Sequence, residues 1–378
     1  VVAVPNASTS GSMHFSLATL SGGNPSGLSL TIATAAVQAS GAVTVTVLGE
    51  LTSGLFVTFG CERQIIANNI IRNEPGHGIQ VTADSTTGVD KDIIYSENIV
   101  SSCGIGVVLG SESSTSYIEN IRFSGIVVDS VYEGIKVANV RKLMMNAQVS
   151  RSGAAGVRVK SFDGMQNLRI DGLITDSGGP GVFIDGSGEM KFIHINASLE
   201  RNGANVGLYT LTTTIYGSYS LGFGQGVLSS PGAINKHRAI MVTSPAAIEN
   251  NGGAVHLQSP DWVHISIPRC VDNVETGSSK NRIAIRVSAA LGGRIKACDI
   301  INSARTSGDY AISTTGTSVD VITEECTTNY NRAGALGNVI YVQGTGCEAR
   351  DNKLPASCTV QYASGGAAAS DAARQRVA

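Results

Sequence analysis

The sequence predicts an all-β fold, a parallel β-helix of about eleven rungs with a small β-rich cap at its N-terminal end. Three observations predict it. One unit recurs from Ile65 to Tyr209, apolar residues alternate with polar ones inside each unit, and glycine punctuates the units. Glycine accounts for 45 of 378 residues, well above the usual ~7%, as many turns require.

The unit is legible in six copies. Ile65-Ile66-Ala67-Asn68-Asn69-Ile70 leads to Gly76-His77-Gly78-Ile79-Gln80-Val81, and Asp92-Ile93-Ile94-Tyr95 leads to Gly104-Ile105-Gly106-Val107. Asn120-Ile121-Arg122-Phe123 leads to Gly134-Ile135-Lys136-Val137, and Leu143-Met144-Met145-Asn146 to Gly156-Val157-Arg158-Val159. Asn167-Leu168-Arg169-Ile170 leads to Gly181-Val182-Phe183-Ile184, and Lys191-Phe192-Ile193-His194-Ile195-Asn196 to Val206-Gly207-Leu208-Tyr209. Alternation at every second residue is strand periodicity rather than helix periodicity. Glycine and asparagine between the runs suit tight turns with positive φ. A strand this short cannot bury its apolar face alone, but stacked on a copy of itself it can.

Residues 1–60 read differently. Leu28-Ser29-Leu30-Thr31-Ile32 and Val43-Thr44-Val45-Thr46-Val47 alternate cleanly and carry no charge, which predicts a cap or attachment segment over the open strand edges at the solenoid end. The β-helix is expected over 61–350. At 210–238 a Thr-, Tyr- and Gly-rich stretch breaks the period and reads as an insertion. Beyond it, Ala239-Ile240-Met241-Val242, Ala254-Val255-His256-Leu257, Ile283-Ala284-Ile285-Arg286-Val287, Tyr310-Ala311-Ile312 and Val339-Ile340-Tyr341-Val342 resume the rungs, and 351–378 reads as a C-terminal tail.

Composition narrows the function. Charged residues make up 15% of the chain and the formal net charge is −2, so the basic stripe that nucleic acid needs is missing. No apolar run is long enough to insert in a membrane, and Val1–Ser10 has neither the basic start nor the apolar core of a secretory leader. Seven cysteines leave at least one thiol free; Cys270, Cys298 and Cys326 stand 28 apart and read as a buried column, and a Cys347–Cys358 disulfide stays open. No cofactor motif and no metal-ligand spacing is present.

The unit, with its Gly-x-Gly-Ile-x-Val closure, resembles the right-handed β-helices of the pectate-lyase-like superfamily over about residues 61–350. That group includes pectinases, alginate-modifying enzymes and bacteriophage tailspikes. The absence of a leader, the uncharged N-terminal segment and the missing enzyme motifs favour a tailspike or related virion spike among them. Gly76-His77-Gly78 and Arg294-Ile295-Lys296 resemble polygalacturonase signatures, but they lie far apart here and lack the preceding aspartate motifs. The resemblance implies a homotrimer attached to other virion tail or head proteins, assembled in the host cytoplasm and acting outside the cell on a surface polysaccharide.

Three groups of residues invite chemistry. Aligning the units on the closing glycine gives a ladder of Ser101, Asp129, Arg151, Asp176, then Glu200 or Arg201. Carboxylates one or two rungs apart approach the separations used by retaining and inverting glycosidases, so Asp129, Asp176 and Glu200 are candidate acid and base. Arg151 would sit between them to hold a sugar carboxylate, with Lys136 and Arg158 enlarging the patch. The bland alternative is a solvated face of alternating charge. The second group is Glu249, His256, Asp261, Trp262 and His264, in which Trp262, the only tryptophan, would offer a sugar platform. The third is Tyr209, Tyr216, Tyr219 and Phe223, for glycan contact or subunit packing. Three functions remain: a polysaccharide-binding spike with or without depolymerase activity, a free polysaccharide lyase or glycoside hydrolase, and a structural virion spike that binds no glycan.

Overall fold

The computed structural model is an all-β parallel β-solenoid, consistent with a pectate-lyase-like fold. It describes residues 64–82, 90–110, 117–161, 165–186, 190–203, 237–250, 253–258, 260–273, 283–301, 310–329, 338–354 and 359–363. Outside these it gives the backbone of strands at 2–3, 16–17, 43–46, 50–51, 55–58, 227–231 and 376–377. Tyr209, Tyr216, Tyr219 and Phe223 lie outside the described residues, as does Cys358.

Two ladders run the length of the solenoid. The second sheet strings twelve strands in parallel, from Leu55–Thr58 through His77–Thr82, Ile105–Gly110, Ile135–Ala138, Val157–Ser161, Val182–Gly186, Val227–Pro231, Val255–Gln258, Ile283–Ser288, Tyr310–Thr315 and Asn338–Val342 to Thr359–Tyr362. The first sheet carries the long runs Asp90–Ser101, Ile118–Val128, Val140–Ser150, Met165–Thr175 and Met190–Glu200. The expected count of about eleven turns is corrected to about seven regular ones. The ladder outlasts them because pairing continues into short strands at both ends. Strands Val43–Thr46, Glu50–Leu51 and Leu55–Thr58 already pair in parallel with the next turn, and Lys353–Leu354 pairs with Arg376–Val377. Parallel pairing therefore extends past the expected limits of 61 and 350.

Stacking, not any single strand, makes the core. Inward residues form columns such as Phe123–Met145–Ile170–Ile195–Val242–Ile265–Ile295 and Val127–Val149–Ile174–Leu199–Ala247–Cys270–Ile300, nearly all shut off from solvent. Each long strand begins with one break in alternation. Ile118 and Ile121 both point inward because Asn120, between them, takes φ +56° and bends the chain. Asp92, Lys142, Asn167, Phe192 and Ala239 repeat that bend in other turns.

From Pro245 onward the first sheet is split into short pairs of strands. Pro245 and Pro268 interrupt two successive turns, where a missing N–H cannot join the ladder. Ala297, Glu325 and Asp351, at φ between +51° and +55°, interrupt the next three.

The closing glycines have a different cause from the positive φ expected of them. Gly106, Gly134 and Gly156 have no left-handed φ. A Cβ on Gly134 would instead stand 2.4 Å from a Val149 methyl and 2.7 Å from the Gly156 carbonyl. The constraint is close approach between turns, and the left-handed positions fall mainly on Asn, Asp and other polar residues.

After the first sheet an inward column holds the turns in register. It runs Cys103, Ser130, Ser152, Ser177, Asn202, Asn250, Asn273. The Asn202 side-chain oxygen accepts from the Ser177 amide at 3.2 Å, that of Asn250 from the Asn202 amide at 3.2 Å, and that of Asn273 from the Asn250 amide at 3.1 Å. The expected three-cysteine column is corrected. Cys298 and Cys326 share a column with Ile267 and Asn352, whereas Cys270 pairs in register with Ile300 two residues further along the turn. Cys347 is a buried free thiol, and Cys358, its possible partner, lies outside the described residues.

Candidate functional site

The charged ladder exists, with Asp129, Arg151, Asp176 and Arg201 in line as aligned and Ser102 in place of Ser101. Backbone bonds between turns place Ser102, Asp129, Arg151, Asp176, Arg201, Glu249 and Asp272 in one column, each at φ between +49° and +57°. Ser101 and Glu200 are corrected out of it, because they end the preceding strands; Glu200 pairs there with Thr175 and Ile248. The side chains close on one another. Arg151 grips Asp129 with two hydrogen bonds of 2.6 and 2.9 Å, and Arg201 grips Asp176 with two of 2.8 and 3.0 Å. The Arg151 guanidinium holds the Asp129 carboxyl below the usual carboxylate range, and Arg201 does the same for Asp176. Glu200 meets Arg201 at 3.4 Å. A general acid wants a raised pKa near its working pH, and these neighbours push the other way.

Lys136 and Arg158 stand elsewhere, on the outward face of the second sheet. Arg158 bonds Glu133 at 3.0 Å and Asp185 at 2.8 Å, with its side chain only 11% exposed. Burial and the neighbouring charges of Arg158 and Lys160 bring Lys136 down to about 8. The patch expected to join these residues to Arg151 is therefore a separate, half-buried ion cluster over Phe183.

The group around Trp262 divides between faces. Glu249 belongs to the turn column. His256 lies on the second sheet, where burial and the Arg286 charge hold it neutral, down to about 3. Trp262 and His264 remain together on the first sheet, their rings stacked 6.1 Å apart and 9° from parallel, with Trp262 41% exposed. Among the described residues no group of three metal-ligating side chains could hold an ion. His77 and Arg294 fall on different sheets; His77 bonds Gln80 at 2.7 Å and Arg294 bonds Glu324 at 3.1 Å.

No protein-family model, curated protein or solved structure matches this chain. Function therefore has to be read from the surface itself.

The outward face around Trp262 gathers polar side chains from successive turns of the first sheet. Strand register sets His194, Met241, His264 and Arg294 in one row, and Asp171, Asn196 and Thr243 in the next. A chain of hydrogen bonds fixes the second row. Arg169 holds both oxygens of Asp171, Asn196 donates to Asp171 at 2.9 Å, Thr243 donates to Asn196 at 3.2 Å, and a His194 ring nitrogen meets the Thr243 hydroxyl at 2.6 Å. Burial pushes the Asp171 carboxyl up, but the bonds from Arg169 and Asn196 outweigh it and leave it below its usual range. Burial lowers both His194 and His264; Arg169 adds to the first, Arg294 and Lys296 to the second. Both imidazoles are thus neutral at pH 7, each with one donor and one acceptor nitrogen.

Of this surface, only Trp262 and His264 were singled out by sequence. Phe192, His194 and Asn196 read there as part of the repeat unit, and Thr243 follows the Ala239–Val242 run. The available signal was a repetition inside the repetition: Phe192-Ile193-His194 and Trp262-Val263-His264 share one spacing.

Proposed function

We propose that this chain binds a cell-surface polysaccharide through the outward face of its first sheet, as a virion spike of the tailspike kind, and binds it without cleavage. The exposed Trp262 indole supports this most directly. An aromatic ring that is held flat by His264 and open to solvent offers the apolar C–H face of a sugar a partner, while neutral polar side chains beside it suit hydroxyl groups. Low net charge and the arginine-paired carboxylates favour binding over hydrolysis. On this reading the chain works as a homotrimer joined to other virion proteins, which mass measurement in solution tests separately.

The experiment is a screen of bacterial capsular and O-antigen polysaccharides by biolayer interferometry, with reducing ends assayed in parallel. Retention of at least one polysaccharide, weakened about tenfold or more by Trp262→Ala, is expected. Retention of none overturns the proposal. Release of reducing ends that Asp176→Asn abolishes would replace it with a depolymerase.

A further inference from the structure

Phe192 is in the wrong place for a scaffold residue. It is 60% exposed and sits at φ +56°. A bulky side chain in the left-handed region is strained, and exposure returns nothing for it. Two of the three turns before it, at the same register position, use Asn120 and Asn167, whose short polar side chains tolerate that conformation; the third uses Lys142.

Register shows what Phe192 shares with Trp262. Lys191 pairs with Arg238 and Ile193 with Ile240, so Phe192 lies opposite Ala239. Ile240 pairs with Val263 and its amide donates to the Trp262 carbonyl at 3.0 Å, so Ala239 lies opposite Trp262. Two residues on, His194, Met241 and His264 align the same way. The aromatic–histidine pair therefore occurs twice on one face, two turns apart, with a small Ala239 between the rings. Two strand spacings amount to about 10 Å. That is close to the advance of two sugar residues along an extended glycan.

We infer that Phe192–His194 and Trp262–His264 are two equivalent subsites for alternate sugars of a linear glycan lying along the solenoid axis, with the intervening sugar over Ala239 and Met241. Each aromatic ring takes the C–H face of a sugar and each histidine a hydroxyl. Thr243 fixes the His194 ring, and the Trp262 indole packs flat on the His264 ring. The inference rests on the polysaccharide-binding reading and adds to it a ligand class, a direction and a minimum length. A branched glycan with bulky substituents on every sugar would not lie flat on both rings.

The test uses the intact chain and a graded series of linear fragments, disaccharide to hexasaccharide, of the polysaccharide retained in the screen. Affinity is expected to rise steeply between disaccharide and trisaccharide. Phe192→Asn is expected to weaken the longer fragments about tenfold while raising the melting temperature, because asparagine suits the left-handed backbone. If Phe192→Asn leaves affinity within about twofold while Trp262→Ala destroys it, the paired-subsite inference falls and the binding proposal stands. Loss of affinity together with a lower melting temperature makes Phe192 structural and also overturns the inference. If the intact chain retains no polysaccharide, both fall.

Discussion

The turn column from Asp129 to Arg201 and the Phe192–Trp262 column arise from the same repetition, yet they differ in how their side chains are used. In the turn column, sign alternates from turn to turn and each aspartate is claimed by the arginine of the next turn. Those residues face solvent but spend their hydrogen bonds on one another. In the aromatic column, Phe192 and Trp262 stand open to solvent, and Phe192 is strained as well. A repeating scaffold tends to satisfy itself along its axis, so function is better sought where one turn departs from its neighbours at some cost than where all turns agree.

That contrast can be broken or sharpened in graded steps. The largest effect should come from the scaffold beneath both columns. Gly134→Ala forces a methyl against the Gly156 carbonyl and should destabilise the chain by about 3 kcal/mol in denaturant titration. Any fraction that remains folded should keep its glycan affinity. Trp262→Ala should come next, losing about 1.4 kcal/mol of binding with little change in stability, read by calorimetry against the retained polysaccharide. Phe192→Asn should divide its effects, lowering affinity while adding about 1 kcal/mol of stability as the left-handed strain is relieved. Equal effects of these two substitutions on stability would erase the distinction between a strained and an unstrained platform.

The smallest effects belong to the turn column. Asp129 and Arg151 are both about half exposed, so Arg151→Ala should cost no more than about 1 kcal/mol, and less at high salt. The arginine lowers the folded pKa of Asp129 relative to the unfolded chain, near 3.9. The pair's contribution is therefore present above about pH 4 and is lost as pH falls through the folded value. Asp129→Asn should remove that acid-side loss, visible as a flatter stability curve below about pH 4. A clear fall in glycan affinity with Asp129→Asn would instead restore the turn column as a site.

Most of the fold was legible because stacking imposes period on sequence, and most of the Gly-Ile-x-Val strands fall together in the second sheet. Ala239-Ile240-Met241-Val242, aligned with them, is corrected to the first sheet, and the second-sheet strand of that turn is Val227–Pro231, inside the expected insertion. The reason for the glycines was not legible. Close approach of Gly134 to the Gly156 carbonyl involves a residue of the following turn, and no local rule for turns reports it. The site was half legible. Grouping Glu249, His256 and Trp262 by nearness in the chain failed because each turn carries successive short segments to different faces. Phe192 and His194 were hidden by their own regularity: they fit the repeat, and Phe192 shares with Asn167, one turn away, both its exposure and its left-handed φ, so that only the bulk of the side chain on that backbone sets it apart.

The two aromatic–histidine pairs can be tested most directly with a double-mutant cycle on binding. Affinity of the retained hexasaccharide would be measured by isothermal titration for the intact chain, Phe192→Asn, Trp262→Ala and the double variant. Sites about 10 Å apart with no shared partner should add. Each single substitution is expected to lose about tenfold and the double about a hundredfold. A double variant that binds no more weakly than Trp262→Ala alone would show that Phe192 holds no sugar, and would contradict a glycan lying along the axis over both rings.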